Sequence, residues 1–211
     1  MKYKHIIWDW NGTLLDDLNA SFEAVNDMLK LYEKEPIVVE QYYSYVDTPI
    51  YKFYEHIFDL NVVTMDIIKP LYGKFYSERE NDIKLADGAE KTIKKLKENG
   101  IKQYVLSAAY IDDLEKQAKR LGVYDVFDEI SASSDYEAGS KIDRAKSLFE
   151  RENISVSDCI MVGDTLHDLE TANALGIECL LYSKGHTDRA TLEKTGKIVC
   201  ESFDEILKYL F

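Results

Sequence analysis

Residues 4–16 read KHIIWDWNGTLLD. Ile6, Ile7 and Trp8 make a short apolar run that suits a buried strand. The chain then turns at once to Asp9, a Gly12-Thr13 turn and a second acidic residue, Asp16. Working outward, three more runs have the same character: Gln103–Leu106, Cys159–Val162 and Glu178–Tyr182. Each lies between polar turns, and segments of helical period separate them. Short apolar runs that alternate with helices predict a parallel sheet with βαβ crossovers. The helices are punctuated as expected: Glu90–Asn99 (EKTIKKLKEN) stops at Gly100, Leu114–Leu121 at Gly122 and Leu169–Leu175 at Gly176. Val126–Ser131 and Lys197–Cys200 are weaker strand candidates. The fold class expected is α/β, with a Rossmann-like parallel sheet core.

One segment breaks the alternation. Between Asp16 and about Lys84 no good strand is legible, only helix-like stretches such as Ser21–Tyr32 and Thr64–Tyr76. Twelve of the 25 aromatic residues fall between Phe22 and Tyr76, enough to give this segment a core of its own. It reads as an inserted all-helical bundle. The expected division is a core of residues 1–16 and 85–211 and a helical cap domain of residues 17–84.

Composition removes several function classes. The 211 residues carry 26 Lys plus Arg against 39 Asp plus Glu, a net charge of −13. Such a surface repels nucleic acid and anionic lipid, so neither is expected as a partner. No apolar stretch is long enough to span a membrane, and the N-terminus lacks a signal-peptide apolar region. Cys159, Cys179 and Cys200 lie in apolar runs without CxxC spacing and read as buried thiols of a reducing compartment. A cytoplasmic protein is expected. Protein partners and oligomeric state are not legible.

Three polar motifs sit where predicted strands end: Asp9-Trp10-Asn11-Gly12-Thr13-Leu14-Leu15-Asp16, Ser107 after YVL, and Gly163-Asp164-Thr165-Leu166-His167-Asp168 after CIMV. Ligands of open parallel sheets bind beyond the carboxyl ends of the strands, so the three motifs converge if their strands are neighbours.

In order and spacing these motifs resemble the haloacid-dehalogenase-like hydrolases. That pattern is DxDGTLxD, a strand-ending Ser or Thr, a lysine, and GDxxxD; here it reads DWNGTLLD, VLSAA, GSKIDRA and GDTLHD. The resemblance spans the whole chain and leans toward the phosphoglycolate-phosphatase-like branch, whose helical cap is inserted where residues 17–84 stand. It implies a magnesium-dependent phosphatase of small phosphorylated metabolites. Asp9 is then the nucleophile, forming an aspartyl-phosphate. Asp9, Asp164 and the backbone carbonyl of Asn11 are the implied Mg2+ ligands, oxygen donors suited to a hard cation, with Asp168 behind them. Ser107, Ala108, Gly12 and Thr13 are the implied phosphate cradle, and Lys141 neutralises charge on the phosphoryl group. Lys146 and Lys184 compete for that role. The helical insert is expected to act as a lid.

Asn11 departs from the pattern. It stands where phosphatases of this kind carry a second aspartate, the acid that protonates the leaving oxygen and the base that then activates water. An amide can do neither, and losing a positioned general acid–base removes about 10²–10⁴ in rate. The chain could cleave substrates whose leaving groups need no proton, use His167, His5 or a substrate hydroxyl instead, or bind phosphorylated ligands while turning them over weakly. A metal-free haloacid dehalogenase is a further alternative, since halide leaves unprotonated, although an intact GDTLHD would then hold an unused metal ligand. A phosphonatase would need a cap lysine, and nothing selects among Lys30, Lys34 and Lys52. The insert has no arginine before Arg79, so no forked clamp for a phosphorylated carboxylate is evident.

Overall fold

A computed structural model describes residues 2–133 and 141–211. In chain order the elements are β1 (His5–Trp8), β2 (Leu15–Asp16), α1 (Leu18–Leu31), α2 (Val39–Tyr45), α3 (Tyr51–Glu55), α4 (Met65–Ser77), β3 (Lys84–Leu85), α5 (Ala89–Glu98), β4 (Lys102–Tyr110), α6 (Ile111–Arg120), β5 (Glu129–Ser133), α7 (Lys141–Glu152), β6 (Cys159–Gly163), α8 (Leu166–Leu175), β7 (Glu178–Tyr182), α9 (Arg189–Glu193), β8 (Ile198–Cys200) and α10 (Phe203–Leu210). The chain divides into two compact units, residues 1–16 with 85–211 and residues 17–84.

The larger unit is a six-stranded sheet in the order β5-β4-β1-β6-β7-β8, every pair parallel. Its strands are apolar on both faces because helices cover both. Ile7, Tyr104, Leu106, Met161 and Leu181 meet Leu148 of α7 and Ala172 of α8 in one buried cluster. The two indoles at the end of β1 are fully buried, and each has its N–H satisfied: Trp8 Nε1 donates to Gln103 Oε1 at 3.1 Å and Trp10 Nε1 to Gln117 Oε1 at 2.9 Å. These bonds hold the residues on either side of Asp9 in place.

β1 lies between β4 and β6, with Trp8 opposite Val105 on one side and Val162 on the other. Asp9, Ser107 and Asp164 therefore emerge at the same edge of the sheet, because all three strands run the same way. β4 is longer than the sequence suggests. Ser107 lies inside it rather than after it, at a register shift between Leu106 and Tyr110 against β5. The small residues Ala108 and Ala109 allow the strand to continue past this irregularity. β5 also begins later than Val126, since Tyr124–Val126 closes a single 3₁₀ turn.

The smaller unit is helical. Val25, Met28 and Leu29 of α1 pack with Tyr42, Phe53, Phe58 and Ile68 in its own core. Asn26 fixes the turn after α1, accepting from the Ile37 amide at 2.9 Å and donating to the Ile37 carbonyl at 3.2 Å. The two short strands missed in the sequence, β2 and β3, pair with each other. Two residues each carry too little periodicity to be recognised.

Candidate active site

The turn after β1 is built around backbone conformation and close approach. Gly12 has φ +74°, a left-handed geometry that favours glycine. A methyl group there would collide with the Asp164 carboxylate and with the His186 ring. Thr13 Oγ1 donates to Asp164 Oδ1 at 2.8 Å, which ties the turn after β1 to the end of β6. The Asp9 amide donates to the Val162 carbonyl at 2.9 Å, so the sheet ladder itself sets the position of Asp9.

Three carboxylates meet here. Asp9, Asp164 and Asp168 are all buried, and one oxygen from each lies within 4.8 Å of the others. Lys141, the first residue of α7, reaches two of them: Nζ donates to Asp9 Oδ1 at 2.5 Å and to Asp168 Oδ1 at 2.6 Å. The lysine side chain is 4% exposed. Asp168 also caps its own helix, accepting from the Thr165 amide at 2.9 Å and the Thr165 hydroxyl at 2.7 Å.

The electrostatics follow from this wiring. Burial pushes the Asp9 carboxyl well above the usual carboxylate range; Lys141 opposes the shift, while Asp168 and Asp164 reinforce it. Burial likewise raises Asp164 to about 6, against the pull of His186 and the Thr13 hydroxyl. Asp168 goes the other way: burial disfavours its charge, but Lys141 and the two Thr165 bonds outweigh that and hold it below its ordinary value. For Lys141, burial opposes the charge and the two aspartates more than restore it. Three buried carboxylates against one buried ammonium leave a surplus of negative charge on hard oxygen donors. Such a donor set fits a cation of the magnesium or calcium type.

The structure brings Asp9, Gly12, Thr13, Lys141, Asp164 and Asp168 into one assembly. Lys146 is exposed on α7, and Lys184 lies beyond β7, so neither competes at Asp9. Gly139 and Ser140, which precede the lysine in its motif, lie outside the described residues. Ser107 is buried, and among the described residues no hydrogen bond joins it to the cluster. Its Oγ accepts from the Ala109 amide at 3.0 Å, and its carbonyl accepts from Arg144 at 2.7 Å. Ala108 is exposed at the strand irregularity. Asn11 is half-buried and bridges to Leu15 across the turn.

The alternative proton carriers fare differently. His5 opens β1, about 13 Å of strand away from Asp9 at ~3.3 Å per residue, and is stacked on Tyr104. It belongs to the opposite end of the sheet. His167 lies on the first turn of α8 with Nδ1 3.4 Å from Glu170. Arg79 is engaged inside the helical unit by Asp27 and the Phe75 carbonyl.

The sequence reading missed Gly185 and His186. The His186 amide donates to Asp164 Oδ2 at 2.6 Å, and a methyl at Gly185 would strike both Asp164 and the Gly12 carbonyl. The loop after β7 thus supplies a fourth strand end to the site. Its sequence signal was Gly185, in the short polar turn that follows the run Glu178–Tyr182.

Comparison with known proteins places the chain in a family. The family described as haloacid dehalogenase-like hydrolase matches residues 6–182. A phosphoglycolate phosphatase from Psychrobacter arcticus is 25% identical over 193 residues, covering 86% of this chain and 84% of that protein. Among solved structures, a haloacid dehalogenase-like family protein from Streptococcus pneumoniae superposes with a TM-score of 0.87 at 19% identity, covering 100% of this chain and 99% of that one. A predicted phosphatase from Clostridium acetobutylicum gives 0.85 at 22% identity with the same coverage. At these identities the structural likenesses establish the fold.

Proposed function

The chain belongs to the haloacid dehalogenase-like hydrolase family, and from that premise we propose that it hydrolyses phosphate esters or anhydrides of small metabolites through an aspartyl-phosphate on Asp9. The observation that carries this reading is the contact of Lys141 with Asp9 and Asp168 beside the buried Asp164. In this reading the helical unit of residues 17–84 is the cap of the hydrolase core, and the protein works in the cytoplasm, where the free thiols of Cys159, Cys179 and Cys200 stay reduced.

Asp9 Oδ2, the oxygen that does not bond Lys141, is the one we assign to attack on phosphorus. Lys141 orients Asp9 and offsets the charge that gathers on the phosphoryl oxygens. The Ser107 hydroxyl accepts from Ala109, and its own proton is committed to no group among the described residues, so it can be donated to a phosphoryl oxygen. The exposed backbone at Ala108 and the Gly12-Thr13 turn complete the proposed cradle. Asp9, Asp164 and the Asn11 carbonyl would hold Mg2+. When bound, the ion would neutralise the surplus carboxylate charge and polarise the phosphoryl group. Asp168 keeps Lys141 charged and in place.

Asn11 can hold no proton for the leaving group, so the reading favours substrates whose leaving groups depart as stable anions, such as acyl and aryl phosphates. The test is a panel of phosphate esters and anhydrides assayed with and without magnesium. Magnesium-dependent release of phosphate supports the reading. Full activity in EDTA toward 2-haloacids, with none toward phosphates, would replace it with the metal-free dehalogenase.

A further inference from the structure

Beside the Gly12 turn and the end of β7 lies a cavity lined by none of the four residues of the aspartate–lysine cluster. It measures about 200 Å3, space for roughly six waters. Gly12 and Ala86 form part of its wall, and Asp16, Asp87, Tyr182 and Lys184 supply its polar groups. Tyr182 is the last residue of β7, with its ring against Phe203 at 5.2 Å and only 4% of its surface exposed. Among the described residues its hydroxyl makes no hydrogen bond, and its oxygen, unlike the ring, is open to the cavity. Burial, with Asp16 and Asp87 nearby, pushes its pKa up to about 12, so the hydroxyl keeps its proton. The Lys184 ammonium likewise makes no ion pair among the described residues.

We propose that this cavity binds a small polyhydroxylated molecule, with Asp16 and Asp87 accepting hydrogen bonds from its hydroxyls and Tyr182 and Lys184 donating to them. A simple cation would face Lys184, and a simple anion would face two carboxylates. A hydroxyl both donates and accepts, and so satisfies walls of both kinds. The volume suits a chain of about four carbons with its hydroxyls, taking ~30 Å3 per water displaced as the guide. Such a group has two possible sources, a free polyol acting as an effector or the hydroxylated part of the substrate. Only the second rests on the phosphatase reading, since Gly12 borders both this cavity and Asp164.

The test is titration of the full ¹⁵N-labelled chain with erythritol, followed by the amide resonances. Saturable shifts at Asp87, Tyr182 and Lys184 are expected, with affinity weakened about tenfold by Tyr182→Phe, which removes one hydroxyl and keeps the ring. Asp87→Asn, at an exposed position, should weaken binding likewise and guards against a packing defect in the first variant. Absence of saturable shifts, or affinity in both variants equal to that of the native chain, overturns the proposal. A second titration uses erythritol 4-phosphate with inorganic phosphate as control. Tighter binding of the ester, with added shifts at Ser107 and Ala108, supports the cavity as the substrate's hydroxyl site. Independent binding of erythritol and inorganic phosphate supports it as an effector site. None of these readouts needs turnover, so failure of every phosphate ester to be hydrolysed would sink the phosphatase reading and leave this result standing.

Discussion

The ammonium of Lys141 lies 2.5 Å from the Asp9 carboxylate, although one opens α7 and the other ends β1. The same nitrogen is 2.6 Å from Asp168, so one lysine holds two buried carboxylates that burial alone would neutralise. Removing it leaves charges without their partner in a closed site. Lys141→Ala is expected to cost about 3–5 kcal/mol of stability, the range for breaking a buried ion pair from one side. Thermal or urea unfolding measures this. A loss below about 1 kcal/mol, the value of a surface pair, would show that the contact is not a structural one.

Asp164 sets a pH dependence that the metal should reverse. Its carboxyl is raised to about 6 in the folded protein, against about 3.9 for an unperturbed aspartate. The folded state therefore retains a proton that the unfolded chain releases first, and stability of the metal-free protein falls as pH rises through that window. Asp9 acts in the same direction. Asp168, held low, contributes in the opposite sense, losing its stabilisation as pH falls below the ordinary carboxylate range. Magnesium should bind weakly below about pH 6 and stabilise most above it. Melting curves across pH in EDTA and in magnesium check this; parallel curves would contradict it.

Gly185→Ala should push on both Asp164 and the Gly12 carbonyl. Its expected effect is weaker magnesium binding by about tenfold or more, in the range seen when groups that orient metal ligands are altered, with little change in the helical unit. Calorimetric titration with magnesium reads the affinity. Unchanged affinity would mean that the loop after β7 yields without moving Asp164.

Asn11→Asp tests the missing acid. Native rates should fall steeply as leaving-group basicity rises, and the substitution should raise alkyl-ester turnover most, by up to ~10²–10⁴. A leaving-group series on both proteins is the measurement. A flat native series, unaltered by the substitution, would assign the proton to another group.

Much of this was legible in the sequence because strong local signals coincide with global ones. The runs at Ile6–Trp8, Cys159–Val162 and Glu178–Tyr182 are apolar on both faces, and glycines close the helices between them. Asp9, Asp164 and Asp168 could be read from their motifs, and Lys141 only with rivals, since nothing local separates it from Lys146. Long-range contacts were harder. The bond from the His186 amide to Asp164 depends on backbone geometry rather than on side-chain identity. The placement of Ser107 inside β4 depends on a register shift that small residues permit without encoding it. β2 and β3 are too short to show a period.

The account rests on Asp9 as the nucleophile, and acid-quenched turnover followed by peptide mass analysis tests this most directly. With an aryl phosphate and magnesium, the peptide holding Trp8–Asn11 should carry one phosphoryl group on Asp9. Its accumulation should be aided by Asn11, which supplies no base for the second step. Asp9→Ala should stay folded, lack the adduct and lose turnover. Phosphate release by Asp9→Ala at the native rate, or turnover with the adduct on another residue, would contradict it.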